Sequence, residues 1–199
     1  MQAFAAILLK SPACPATLSS GALTALGAEF GALRARPYEA LDGSEAYIYL
    51  DLPAQSRNAA QFAEAVNEAA GRHLAGTGIT AWALTGICDI AGANEGQAAP
   101  FFYTVEITSK RENMPAVSGW YDQEHMPGLA AVPGCAHARR FLTEGPEQTS
   151  CACYEITNSG IRETDAWNAV RGTPWSLQVR PHFLNLKRNM FHARPVIRL

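Results

Sequence analysis

Apolar and polar positions along this chain change period in the same order twice. Residues 2–9 form a short apolar run that predicts a strand. Residues 18–33, rich in alanine and leucine between Ser19-Ser20-Gly21 and Arg36-Pro37, predict a helix. Residues 36–41 and 45–52 read as paired strands around Asp42-Gly43, a hairpin-turn dipeptide. In the second of them Ile48, Leu50 and Leu52 alternate with Tyr47, Tyr49 and Asp51, so one face is aliphatic and the other amphipathic. A helix over 58–74 sets Phe62, Val66, Ala69 and His73 on one stripe, and a strand over 79–90 closes the series. After the connection 92–100, marked by its Gly, Ala, Asn and Gln content, the order begins again. It runs as a strand over 101–108, a helix over 114–125, strands over 135–142 and 150–157, a helix over 163–171 continued irregularly through 175–180, and a last strand over 183–191.

Each half therefore reads β-α-β-β-α-β, the split βαβ or ferredoxin-like plan. The predicted domains are residues 1–91 and 100–199. Such a unit covers one face of its sheet with helices, and the uncovered face must meet something. Two units in one chain can set their open sheet faces together and enclose a ligand-sized cavity. The expected fold class is α+β: two tandem ferredoxin-like units forming an α/β barrel with facing antiparallel sheets. Residue identity between the halves is low, so the repeat is architectural.

The 199 residues, 48% apolar, suffice for one large domain or two small ones sharing a core. A formal charge of −2 without an arginine tract argues against nucleic acid and anionic membranes as partners. No apolar run approaches the roughly 20 residues of a bilayer span, and residues 1–9 lack a charged leader pattern, so a soluble cytoplasmic protein is expected. The five cysteines, Cys14, Cys88, Cys135, Cys151 and Cys153, are odd in number and contain no Cys-x-x-Cys pair, which suggests neither a disulfide framework nor a zinc ribbon. No cofactor is expected: Gly76-Thr77-Gly78 lacks a third glycine and follows a helix, and no His-Glu-x-x-His or Gly-x-Ser-x-Gly pattern occurs. A metal shared by His125, His137, His182 and Glu106 is not expected either, because no ligand spacing forces them together.

Chemistry concentrates in Trp120-Tyr121-Asp122-Gln123-Glu124-His125-Met126-Pro127, followed by Val132-Pro133-Gly134. Helical spacing puts Tyr121 beside His125 and Trp120 beside Glu124, and Pro127 is expected to end the helix there. His125 is the candidate acid/base, against a capping role at a helix C-terminus. Tyr121 would orient the imidazole or donate to a substrate oxygen, against a core aromatic. Trp120 is packing or cavity wall. On the strand after Pro133-Gly134, His137 and Arg139 share one face and Ala136, Ala138 and Arg140 the other. Small alanines suit helix packing, which would turn His137 and Arg139 toward a cavity and oblige Arg140 to find an acidic partner or solvent. Glu106 and Glu155 should face away from the helices, either paired with arginine or raised in pKa. Trp175, Arg180 and His182 border the last strand. Tyr47 and Tyr49 are expected to line a cavity and contact ligand without exchanging protons.

The second half, 101–192, resembles the dimeric α/β-barrel superfamily and, within it, the EthD-like proteins. The resemblance rests on the segment from Trp120 to Pro127, Val132-Pro133-Gly134, Ala138-Arg139-Arg140-Phe141, Tyr154-Glu155, and Thr173-Pro174-Trp175 leading to Arg180-Pro181-His182-Phe183. It implies that His125 faces the mouth of a cavity and that the protein forms a homodimer around a small-molecule substrate. Related barrels include cofactor-free monooxygenases, lactone isomerases, polyketide cyclases and decarboxylating enzymes. The expected function is a cofactor-independent acid/base transformation of lyase, isomerase or cyclase type on a small aromatic or cyclic oxygenated metabolite. His125, Tyr121 and His137 would carry the chemistry; Trp120, Arg139, Glu106, Tyr47, Tyr49, Trp175 and His182 would contact substrate. A cofactor-free monooxygenase and a non-catalytic ligand-binding protein are the alternatives. The first half has no Trp-Tyr-x-x-x-His segment, so a single working site is expected, in the second half.

Overall fold

The computed structural model describes residues 4–12, 20–53, 58–143 and 148–199. Gln2 and Ala3 of the predicted first strand, Leu18 and Ser19 of the predicted first helix, and Cys14 lie outside the described residues. The chain divides into two compact units, Met1–Gly86 with Phe191–Leu199, and Ile87–Met190.

The first unit runs β1 (Ala5–Ser11), α1 (Ser20–Glu29), β2 (Arg34–Ala40), β3 (Ala46–Leu52), α2 (Ala59–His73) and the first part of β4 (Thr80–Ala91). Its strands lie in the order β4-β1-β3-β2, and each neighbouring pair is antiparallel. β1 pairs with β3 on one edge and β4 on the other, and residues Ala5–Leu9 are all buried. Ile48, Leu50 and Leu52 meet Phe62, Val66 and Ala69 of α2, so the two predicted apolar stripes find each other. Asn58 caps α2 by accepting from the Gln61 amide at 2.9 Å, and His73 at its other end pairs with Glu29 at 3.0 Å. The β2–β3 hairpin turns at Gly43, whose φ of 70° is open to glycine, while Asp42 accepts from the Ser44 amide at 3.0 Å.

The second unit contains the rest of β4, β5 (Phe101–Thr108), α3 (Met114–Trp120), a π-helical turn (Tyr121–His125), α4 (Met126–Ala130), β6 (Cys135–Thr143) and β7 (Thr149–Ile156). A 3-10 turn (Ser159–Glu163), α5 (Asp165–Arg171), α6 (Pro174–Val179), a second 3-10 turn (Arg180–His182) and most of β8 (Leu184–Ala193) complete it. The order β6-β7-β5-β8 repeats that of the first unit, so the α+β, ferredoxin-like plan is present twice. Tyr103, Ile107, Ala138, Ala152, Tyr154 and Ile156 form the helix-covered face with Val117, Leu129 and Trp167. The connection at residues 92–100 folds back on β6: the Gly92 amide donates to Ala136 O and the Asn94 amide to Cys135 O. Gly92 sits so close to this strand that a Cβ would lie 2.2 Å from the Cys135 carbonyl oxygen, which leaves room for glycine alone.

The end of the chain belongs to the first unit. Tyr38 of β2 pairs with Ala193, and β9 (Ile197–Arg198) pairs with Arg34 and Ala35. Phe191 is fully buried, its ring 4.7 Å from that of Tyr47, while Tyr49 meets Tyr38 edge-on at 5.9 Å.

Candidate functional site

The segment from Trp120 to Pro127 does not end its helix at the proline. α3 passes into the π-helical turn, where the Met126 amide donates to Tyr121 O, five residues back, and α4 continues through Pro127 to Ala130. Proline has no N–H to offer and its ring crowds the carbonyl four residues earlier. The wider turn lies immediately before this proline. It changes which side chains meet, because a π turn brings residues five apart onto one face. The imidazole of His125 stacks on Trp120 at 4.1 Å with 24° between planes, while Tyr121 stands edge-on to it at 5.6 Å. Glu124 leaves the predicted pairing with Trp120 and accepts from the Thr173 hydroxyl instead. That threonine also contacts Ser176, which in turn accepts from the Trp120 indole at 3.1 Å, so the α6 N-terminus fixes the indole against which His125 packs.

His125 therefore does not cap a helix end. It is 8% exposed and makes no hydrogen bond among the described residues, and its Nδ1 is sealed from solvent. Burial, reinforced by the positive charges of Arg180 and Arg171, pulls its pKa down to about 3. The ring is neutral across the physiological range. Beside it Tyr121 is fully buried, its phenol pushed up chiefly by desolvation and lowered in part by Arg140, whose guanidinium lies 4.7 Å over its ring.

These groups border a pocket with about 370 Å³ of empty volume, counting space open to solvent. Trp120, Tyr121, Tyr103, Trp167 and Phe183 give it aromatic walls. Arg171, Arg180 and Arg188 supply its charge, and no aspartate or glutamate is among its lining residues. The wall is held from behind by Arg140, fully buried, which donates to Asp122 at 3.0 Å, Ser118 at 2.8 Å and Ser150 at 2.9 Å. Arg140 thus finds the acidic partner that its place on the alanine face demands.

The remaining predicted site residues are elsewhere. His137 and Arg139 do lie on the face opposite Ala138 and Arg140, but His137 pairs with Asp89 and Arg139 with Glu155 at 3.2 Å, and neither lines the pocket. Glu106 is buried opposite Cys151 on the same far face of the sheet. Trp175 packs at the edge of the aromatic core and His182 is half-buried; neither lines the pocket. Tyr47 and Tyr49 are buried in the first unit. No cluster of three or more His, Cys, Asp or Glu capable of holding a metal occurs among the described residues. Burial raises the thiols of Cys88 to about 11 and Cys135 to about 12, which keeps both protonated at neutral pH.

Tyr103, Trp167, Phe183, Arg171 and Arg188 are pocket residues that the sequence reading did not single out. Some signal was there. Trp167 and Arg171 are four apart on α5 and share a face, and Arg188 alternates in phase with Met190, which packs on the aromatic core.

No protein-family model matches the chain, and no curated protein sequence does. Solved structures do match over nearly the whole length. An anthrone oxidase-like protein aligns with a TM-score of 0.64 at 13% identity, covering 98% of this chain and 93% of that one. A ferredoxin-fold protein from Listeria monocytogenes related to antibiotic biosynthesis monooxygenases gives 0.57 at 8% identity, covering 98% and 96%. A heme-degrading enzyme from the same species gives 0.53 at 8% identity, covering 94% and 98%. At such identities the likeness establishes the fold, and a fold by itself does not fix a chemistry. No helix among the described residues is long and apolar enough to cross a membrane.

Proposed function

We propose that this protein is a cofactor-independent enzyme of lyase, isomerase or cyclase type, of the EthD-like kind its motifs resemble, acting on a small aromatic or cyclic oxygenated metabolite in the pocket beside His125. The supporting observation is a neutral imidazole with no protein partner on either ring nitrogen among the described residues, set against Trp120 and Tyr121 in an aromatic-walled pocket. A neutral ring offers one N–H and one lone pair. With Nδ1 sealed, Nε2 is left to meet a substrate, either donating to an oxygen that gains negative charge or accepting a proton from an acidic C–H or O–H. Tyr121, kept protonated by burial, can donate a second hydrogen bond to the same oxygen. His137 is held by Asp89 and has no part in this scheme.

A cofactor-free monooxygenase is the second reading, favoured by the anthrone oxidase-like and monooxygenase-related descriptions of two structural neighbours. Turnover of a panel of phenolic and enolic compounds in D2O, with an oxygen electrode in the cell, separates the two. Deuterium entering product without oxygen uptake is the expected result, and His125→Phe, which keeps the stacked ring, should slow it roughly 10²-fold. Stoichiometric oxygen uptake would replace the first reading by the second. Binding without conversion of any compound would leave a ligand-binding protein.

A further inference from the structure

Six of the twelve arginines that this structure describes meet a carboxylate. Arg34 and Arg36 share Asp51, Arg72 meets Glu29, Arg139 meets Glu155, Arg140 meets Asp122 and Arg194 meets Glu39. Arg171, Arg180 and Arg188 converge on one pocket and meet none among the described residues. The hydrogen bonds they make are to neutral groups: Arg171 donates to Asn168 Oδ1 at 3.3 Å, and Arg180 to the backbone carbonyl of Arg171. Their mutual repulsion is visible in Arg180, whose pKa is lowered by burial and then by Arg171 and Arg188. Three like charges held together at the rim of a partly desolvated pocket are costly unless an anion joins them. The other walls are flat rings. The Trp120–His125 stack is extended by Phe183, 5.7 Å from Trp120, and His125 itself is buried with an unpartnered nitrogen.

We propose that this pocket binds an aromatic carboxylate, with its carboxylate held by Arg180 and Arg171, Arg188 closing over it, and its ring against Trp120, His125 and Phe183. The guanidinium fork matches a carboxylate in plane and spacing, so two arginines hold both oxygens and fix the ring's orientation. The aromatic wall selects for a planar, polarisable partner over a saturated ring of equal volume. A bound carboxylate also offsets the two positive charges that help hold His125 neutral. The imidazole then becomes a better proton acceptor when the pocket is filled than when it is empty.

This assignment rests on reading the pocket beside His125 as the working site, yet binding can be tested apart from turnover. The probes are 2-naphthoate, 2-naphthamide and decahydro-2-naphthoate, titrated into the full chain while the indole N–H resonances of Trp120 and Trp167 are followed by NMR. The naphthoate is expected to shift both resonances and to bind at least tenfold more tightly than either the neutral amide or the saturated acid. Arg180→Gln and Arg171→Gln should each weaken the naphthoate tenfold or more and leave the amide unchanged, while Arg72→Gln, in the first unit, should change neither. His125→Phe should retain naphthoate binding, so a failure of the proton-transfer reading leaves this one standing. Equal binding of acid and amide, equal binding of the flat and saturated acids, no detectable naphthoate binding, or binding indifferent to both arginine variants would overturn the proposal.

Discussion

His125 loses its charge on folding because nothing in its surroundings compensates the loss of water. The folded ring takes up a proton only near pH 3, whereas an unfolded imidazole does so near 6.5. Between those values the unfolded chain holds the extra proton, so stability is complete above about pH 6.5 and declines as pH falls toward 3, by roughly 1.4 kcal/mol per pH unit at most. Urea unfolding at pH 7 and pH 4.5 should show this loss, and His125→Phe should make it smaller; an identical pH dependence in the variant would contradict the burial assigned to the ring. Arg140 presents the opposite case, a charge buried with its partners. Asp122→Ala is expected to cost about 3 kcal/mol, more than Arg140→Met at about 1–2 kcal/mol, because it strands a fully buried guanidinium, whereas the charge left by the second change is on Asp122, which is 42% exposed. Equal costs from the two denaturation curves would mean that the ion pair alone matters. Much at this scale was legible. Alternation along a strand is a local property, so the far-face positions of Glu106, His137 and Arg139, and the need of Arg140 for an acid, could be read directly. The partners that removed His137 from the site could not, since Asp89 lies 48 residues away in sequence.

Among the elements, the helix from Met114 to Ala130 departs furthest from its sequence pattern. Its apolar positions fit an α-helix on either side of the π turn, and only Pro127 hinted that the two parts needed a join. Which residues share a face across such a join depends on one extra residue per turn, and periodicity analysis assumes there is none. The second part lies close to α5: a Cβ on Gly128 would come 2.8 Å from Val170 Cγ1. Alanine there gains about 1 kcal/mol of helix propensity but forces a stiff β-branched side chain to move. Gly128→Ala should therefore destabilise by about 1 kcal/mol net, and in a Val170→Ala background the same change should stabilise. Additive melting shifts from the two substitutions would show that α4 and α5 do not touch there.

For the whole molecule, the strand order of each unit followed from the repeated β-α-β-β-α-β pattern, because that connectivity admits few arrangements. The return of the C-terminal segment to β2 did not, since the pairing of Tyr38 with Ala193 spans most of the chain. Phe191 is buried in the first unit, and Leu199 packs on Gly27. Truncation after Met190 should remove several kcal/mol, with Phe191→Ala alone costing about 3–5 kcal/mol. Hydrogen exchange should then accelerate in β2 and β3 before it does in β6 and β7; uniform acceleration would mean that the two units open together.

The π turn makes the site unusually sensitive to a change in chain length. Five residues of ordinary α-helix would leave Trp120 and His125 about 140° apart around the axis. Gain of one codon between 121 and 125 would set them six residues apart, about 240° around a regular α-helix, with a similar overall helical content. The indole and imidazole would part, and no substitution elsewhere in the pocket could bring them back together. In this protein the reading frame of one helix, as much as the identity of its residues, holds the candidate site.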